Sequence, residues 1–81
     1  MILPTKHIRA ERALIGVGAE VLETLREPMT VSRLWDEVRQ RRSVASPHAP
    51  IDYNWFILAL DLLFAMGTLE TKRGILHKAS R

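Results

Sequence analysis

The segment covering residues 52–67 is apolar on nearly every side of the helix that its composition predicts, and this restricts how the chain can fold. With ~100° between successive residues, one face carries Tyr53, Phe56, Leu60, Leu63, Phe64 and Gly67. The opposite face carries Asn54, Leu58, Asp61, Leu62 and Ala65, with Trp55 at its border. A chain of 81 residues has few other elements to cover that second face. We therefore expect an interface with another protein at Trp55, Leu58, Asp61, Leu62 and Ala65. The alternative is a helix buried on both sides within the monomer.

An earlier helix is expected to begin after Thr5, whose hydroxyl can cap free backbone N–H groups, and to run to about Leu25. Its inward stripe consists of Leu14, Gly18, Val21 and Leu25, with Ile15 and Leu22 alongside. The other side carries Arg9, Arg12, Gly16, Glu20, Glu23 and Glu27. Gly16 and Gly18 resemble the start of a phosphate-binding loop, but no strand precedes them and no lysine follows at the required offset. We interpret them as a place of close helix packing.

A second helix has a clear N-terminal signature. Thr30 is its expected cap, and Met29 and Leu34 have the spacing of a hydrophobic staple. The inward stripe is Val31, Leu34, Trp35 and Val38, and its regularity favours a core role for Trp35 over a binding role. Arg39, Arg41 and Arg42 are expected to end this helix, and residues 41–50, which include two prolines, are expected to form a loop that leads to a cap at Asp52.

The C-terminal part of the chain predicts a β-hairpin. Gly67 is expected to end the third helix in a left-handed conformation. Residues 68–71 and 75–78 then have the composition of strands, joined by a turn at residues 72–74. Three helices followed by a two-stranded wing give a mainly α winged helix-turn-helix fold, and we expect one such domain over residues 1–81.

The net charge of +3 and the pI of about 10 raise the question of nucleic-acid binding. A helix that reads base edges presents Arg, Lys, Asn or Gln to the groove, whereas the third helix presents Asp61 and two leucines. Arg39, Arg41 and Arg42 are explained better as solvated cations at a helix C-terminus than as phosphate ligands. Together with Lys72 and Arg73 on the hairpin, they remain the candidate contacts for a DNA-binding transcriptional regulator, which is the alternative function. We expect only weak, non-specific DNA binding.

The residues needed for catalysis or for metal binding do not form a recognisable pattern. The chain has no cysteine, and His7, His48 and His77 lie far apart in the sequence. Neither a nucleophile elbow nor a phosphate-binding glycine-lysine loop is present. We therefore expect no enzyme activity, no cofactor and no metal. The absence of a signal peptide and of a long apolar run predicts a cytoplasmic protein with no membrane contact.

Four runs of the chain, at residues 2–8, 14–19, 30–35 and 56–67, resemble the sixth middle-component family of the ABC-three component systems. Such families are small winged-helix proteins of bacteria, encoded between an ABC ATPase of the chromosome-structural (SMC) type and an effector. Their cassettes are thought to defend against phages or plasmids. The resemblance implies a non-catalytic adaptor whose partner is the ATPase, the effector or both, with a homodimer as an alternative assembly. It transfers no catalytic residues.

Overall fold

The computed structural model describes the backbone of residues 3–79 and the side chains of residues 12–79. Three helices and three short strands follow one another in the order α1 (Leu3–Thr24), β1 (Met29–Thr30), α2 (Val31–Ala45), α3 (Tyr53–Ala65), β2 (Leu69–Lys72) and β3 (Ile75–Lys78). The expected mainly α fold is confirmed, and the arrangement is compatible with a winged helix. The side-chain positions expected for His7 and Arg9 lie outside the described residues.

α1 begins at Leu3, so the prediction that it starts after a cap at Thr5 was wrong. Pro4 lies in the first helical turn, where the backbone N–H groups have no partner within the helix. Proline is tolerated there because the donor that it lacks would be unpaired anyway. The end of α1 at Thr24 agrees with the expectation to within one residue.

The sheet has one strand more than the predicted hairpin. Its order is β1-β3-β2, all antiparallel, with Met29 opposite Leu76 and Thr30 opposite Ile75. β1 contains only two residues, too few to show the alternation by which a strand is recognised in a sequence. β2 and β3 are joined by a two-residue turn, in which Arg73 and Gly74 have φ values of 56° and 79°. Two positive φ values are typical of the tight turn that suits the twist of a hairpin.

α2 extends to Ala45, and only residues 46–52 connect it to α3. The predicted loop over residues 41–50 was therefore wrong for residues 41–45, and of the three arginines expected to end the helix only Arg42 lies in its last turn. The helix ends two residues before Pro47, because the proline disfavours the helical conformation of Ser46, the residue that precedes it. Ser46 has φ −143° and ψ 73°, outside the helical region.

Both ends of α3 agree with the sequence-based predictions. The Asp52 side chain accepts a hydrogen bond from the backbone N–H of Asn54 at 2.9 Å. At the other end, Gly67 has φ 76°, and the Thr68 N–H donates to the Leu63 carbonyl at 2.9 Å. The Gly67 N–H donates to the Phe64 carbonyl at 3.0 Å, which completes a Schellman motif. Because the last helical residue is Ala65, Gly67 is not part of the inward face of the helix.

The core lies between the three helices and the sheet. It consists of Val17, Val21, Leu25, Met29, Leu34, Val38, Ile51, Phe56, Ala59, Leu60, Leu63, Leu69 and Leu76. The prediction that Ile15 faces inward was wrong, since its side chain is 64% exposed. Ile15 points ~100° away from Leu14 around the helix. Val17, rather than Ile15, occupies the inward position beside the stripe. Tyr53, also expected to face inward, is 48% exposed.

Candidate protein interface on the third helix

The outer side of α3 carries a continuous exposed stripe. Asn54, Leu58, Asp61 and Ala65 are spaced i, i+4, i+7 and i+11, and all four are exposed. Leu58, in the middle of the helix, retains 49% of its surface in contact with solvent. The buried residues of the same helix, Phe56, Ala59, Leu60 and Leu63, lie on the opposite side.

The five residues expected to form a protein interface occupy one side of this helix. Leu58, Asp61 and Ala65 are exposed, whereas Trp55 and Leu62 are half-buried at one flank of the stripe. Trp55 also packs against the core, so only part of its ring is accessible. We call Trp55, Leu58, Asp61, Leu62 and Ala65 the outer face of α3.

An aromatic cluster fixes the start of α3 against α2. The ring of Trp35 lies 4.9 Å from that of Tyr53 in an edge-to-face arrangement and 5.0 Å from that of Phe56. Such pairs contribute ~0.5–1.5 kcal/mol beyond the area that they bury. Trp35 therefore packs with the core, as its place in the α2 stripe predicts, and the cluster orients α3 with its outer face toward solvent.

Asp61 differs from the other carboxylates whose side chains the structure describes. Glu20, Glu23, Glu27, Asp36 and Glu37 each form a salt bridge with an arginine. Asp52 caps α3, and Glu70 lies 4.0 Å from the His77 ring. Within residues 12–79, neither a salt bridge nor a hydrogen bond involves the Asp61 side chain. The outer face of α3 thus contains an anion whose charge no described side chain balances.

Two of the arginines expected at the solvated end of α2 instead pair with glutamates on α1. The Arg42 guanidinium donates to both carboxylate oxygens of Glu20, with Nε at 3.1 Å from Oε1, and also to the Ala49 carbonyl at 2.9 Å. The hydrogen bond to Glu20 raises the pKa of Arg42 above its ordinary value. Arg41 lies 3.6 Å from Glu23. Glu20 and Glu23 thus do not merely line the back of α1, because they join α1 to α2.

Three further ion pairs involve residues of α2. Together with the pairs Arg42–Glu20 and Arg41–Glu23, they form what we call the belt of ion pairs. Arg33 donates to Glu27 at 2.8 Å and to Glu37 at 3.0 Å, and the first of these bonds is the main reason that the pKa of Arg33 is raised. Arg39 pairs with Asp36 at 2.8 Å, and its guanidinium lies 5.7 Å from the centre of the Trp35 ring. Helical spacing indicates the pairs within α2, which are Arg33 with Glu37 and Asp36 with Arg39. The other pairs join α2 to earlier parts of the chain and have no such local signal.

The remaining candidate nucleic-acid contacts, Lys72 and Arg73, are exposed at the tip of the β2–β3 hairpin. No salt bridge to either side chain occurs among the described residues. They are two cations on one turn, which is a small surface for holding a phosphate backbone. In the described part of the chain, no three His, Cys, Asp or Glu side chains are grouped as metal ligands would be.

A polar cleft of about 370 Å³ lies where α1, β1 and α2 meet. It is lined by Thr24, Arg26, Glu27, Met29, Arg33, Glu37 and Arg41. Its charged side chains already bind one another, because Arg33 pairs with both of the lining glutamates and Arg41 donates to the Thr24 hydroxyl at 3.2 Å. The cleft is therefore part of the belt of ion pairs between the helices.

The fold is a small, mainly helical domain with a three-stranded antiparallel sheet, an arrangement compatible with a winged helix. The family model for the ABC-three component (ABC-3C) system Middle Component 6 matches residues 3–78, and the chain belongs to this family. The resemblance described above is thereby confirmed. Searches of curated proteins and of solved structures find no match. None of the helices in the described residues has the length and apolar character needed to cross a membrane.

Proposed function

We propose that this protein is a non-catalytic adaptor that joins the ABC ATPase of an ABC-three component system to its effector. The observation that carries the proposal is the outer face of α3, where Leu58 is 49% exposed in a helix that is otherwise anchored in the core. Membership in a middle-component family supports it, because a component of a multi-part system needs surfaces for other parts.

The energetics of the outer face favour a protein partner. Full burial of a leucine side chain stabilises by ~1.5–3 kcal/mol, so covering the exposed half of Leu58 and the smaller exposed part of Leu62 would contribute part of that amount each. Trp55 adds an aromatic edge at the flank, and aromatic residues are frequent among the side chains that contribute most to binding at interfaces. The belt of ion pairs on α2 is consistent with this function, since Arg41 and Arg42 already neutralise glutamates of α1.

A second candidate function, sequence-dependent DNA binding, is favoured only by the exposed cations Lys72 and Arg73 and by Asn54 on the outer stripe. Asp61 opposes it, because a carboxylate on the same stripe as Asn54 would face the phosphate field. We therefore assign any DNA contact to the hairpin, as an accessory to the adaptor. The proposal places the complex in the bacterial cytoplasm, in a system that defends against phages or plasmids.

The test is co-purification with the ATPase and effector components encoded beside this protein. Replacing Leu58 and Leu62 with glutamine keeps residues of good helix propensity and removes the apolar outer face. We expect the double variant to keep its helical circular dichroism spectrum and to lose the co-purified component. Val44→Gln is the matched control, since Val44 is 84% exposed at the end of α2 and should retain the component. Unfolding of the double variant, or undiminished co-purification, would contradict the proposal.

A further inference from the structure

The lone carboxylate of the outer face lies among apolar neighbours. On the helix surface, Asp61 is next to Leu58 at i−3 and Ala65 at i+4, and Leu62 follows it in the chain. In the free protein its charge is solvated, because the residue is exposed. A partner that covers Leu58 and Ala65 must also cover Asp61 and remove much of that water.

Burial of an ionised carboxylate is costly unless a cation or several hydrogen-bond donors replace the lost water. None of the described side chains is in a position to do this for Asp61. We propose that the component covering the outer face of α3 is a different protein chain, which presents an arginine to Asp61 within an apolar groove. This inference rests on the proposed function and specifies the chemistry of the partner. Arginine fits better than lysine because its guanidinium binds a carboxylate through two parallel hydrogen bonds and tolerates an apolar surrounding.

The same carboxylate argues against a second copy of this protein as the occupant. In a twofold-symmetric pair, the same patch of both subunits meets, so residues near the centre face their own copies. Pairing of two outer faces would bring two Asp61 carboxylates together with no cation between them. Like charges that are placed side by side at an interface disfavour the pairing. Asp61 therefore selects a cationic partner and opposes self-association through α3.

The first test measures the affinity of the purified protein for the component that co-purifies with it, either the ATPase or the effector. We expect Asp61→Asn to weaken binding by ~10- to 100-fold and Asp61→Lys to weaken it further, because the partner's arginine would lose its counter-charge. Glu70→Gln, which removes an exposed carboxylate on the sheet, is the matched control and should bind like the original protein. Raising the ionic strength should weaken binding of the original protein more than binding of Asp61→Asn.

The two proposals fail in different ways. If Leu58→Gln abolishes binding while both Asp61 variants bind normally, the outer face is the interface but its partner offers no cation, and the inference about Asp61 is wrong. If neither Leu58→Gln nor the Asp61 variants affect binding, the proposed function is also wrong.

A second test needs no partner. Sedimentation equilibrium should show the original protein as a monomer and Asp61→Leu as a self-associating species, since the substitution joins Leu58 and Leu62 into an uninterrupted apolar surface. A dimer of the original protein that Leu58→Gln dissociates would overturn the assignment of a different chain as the occupant. An Asp61→Leu variant that stays monomeric at the highest soluble concentration would count against the role of Asp61 in preventing self-association.

Discussion

Gly18 lies where α1 packs against α3. It is buried in α1, and a β-carbon at this position would lie 3.8 Å from Cδ2 of Leu63 on α3. A methyl group would therefore fit in ordinary contact, whereas a longer side chain would have to displace Leu63. The neighbouring Gly16 is exposed, and no atom would lie within 4 Å of its β-carbon. The interpretation as close helix packing therefore holds for Gly18, which lies against α3, and is wrong for Gly16, which faces open space.

We predict that Gly18→Leu lowers the free energy of unfolding by ~1–3 kcal/mol, because the added side chain overpacks the contact with Leu63. Urea denaturation of the purified protein measures this change. Gly16→Leu is the control and should leave stability unchanged or increase it, since leucine has the higher helix propensity and the space is open. We expect neither the original protein nor the variant to bind ATP. Saturable ATP binding that Gly18→Leu removes would show that these glycines contact a nucleotide.

At the scale of elements, the signals that the sequence carries are local. The caps at Thr30 and Asp52 and the left-handed Gly67 are confirmed, because each acts within a few residues of its own position. β1 could not be predicted from the local sequence, because it is defined by its pairing with β3, almost fifty residues away in the chain. Arg41 and Arg42 were misassigned for a similar reason, since their partners lie on α1. The outer face of α3 could be predicted, because helical periodicity alone separates it from the buried side.

The pair formed by Glu20 and Arg42 should stabilise the fold more than the other ion pairs that join different elements. Its side chains are only 31% and 21% exposed, and Arg42 also binds the connector before α3 through the Ala49 carbonyl. We predict a coupling energy of ~1 kcal/mol in a double-mutant cycle of Glu20→Ala and Arg42→Ala, at the upper end of the range for accessible pairs. Arg42→Ala alone should cost more, since it also removes the bond to Ala49.

The control for this cycle is the pair of Asp36 and Arg39, which lies within α2. Both of its side chains are more than half exposed. Its coupling should be ~0.5 kcal/mol or less. The raised pKa of Arg42 means that its contribution is present below the ordinary arginine value and is lost only as the pH rises through the raised folded-state value. The contribution of Arg42 to the coupling energy should therefore stay constant across neutral and mildly alkaline pH. Equal coupling in the two pairs would show that the cross-helix pair has no special role.

At the scale of the whole molecule, which carries a net charge of +3, five ion pairs between arginines and carboxylates occur among the described side chains. The arginines of α2 are paired, and Asp61 places a negative charge on the outer side of α3. Two exposed cations at the hairpin tip, Lys72 and Arg73, lie on a different element. Under the proposed function, the outer face of α3 binds protein and the hairpin tip contacts at most one or two phosphates.

We predict that duplex DNA binds with a dissociation constant of ~10⁻⁴ to 10⁻⁶ M at physiological salt and without preference for sequence. Lys72→Gln combined with Arg73→Asn should remove this binding equally for all sequences. Asparagine is chosen at position 73 because it tolerates the positive φ of 56° there, so the turn is preserved. Fluorescence anisotropy in a salt series provides the measurement. Submicromolar binding to one sequence over scrambled competitor, weakened by Asn54→Ala or Trp55→Ala, would favour the transcriptional regulator.

The most direct test of the adaptor function is site-specific photo-crosslinking in the complex assembled with the ATPase and the effector. A photoreactive amino acid in place of Leu58 reports on the outer face of α3, and the same amino acid in place of Val44 reports on an exposed apolar position of α2. We predict that position 58 crosslinks to one of the other two components and that position 44 does not. Crosslinking from position 44 alone, or no crosslink from position 58 in a complex that forms, would contradict the assignment of the outer face of α3 as the docking surface.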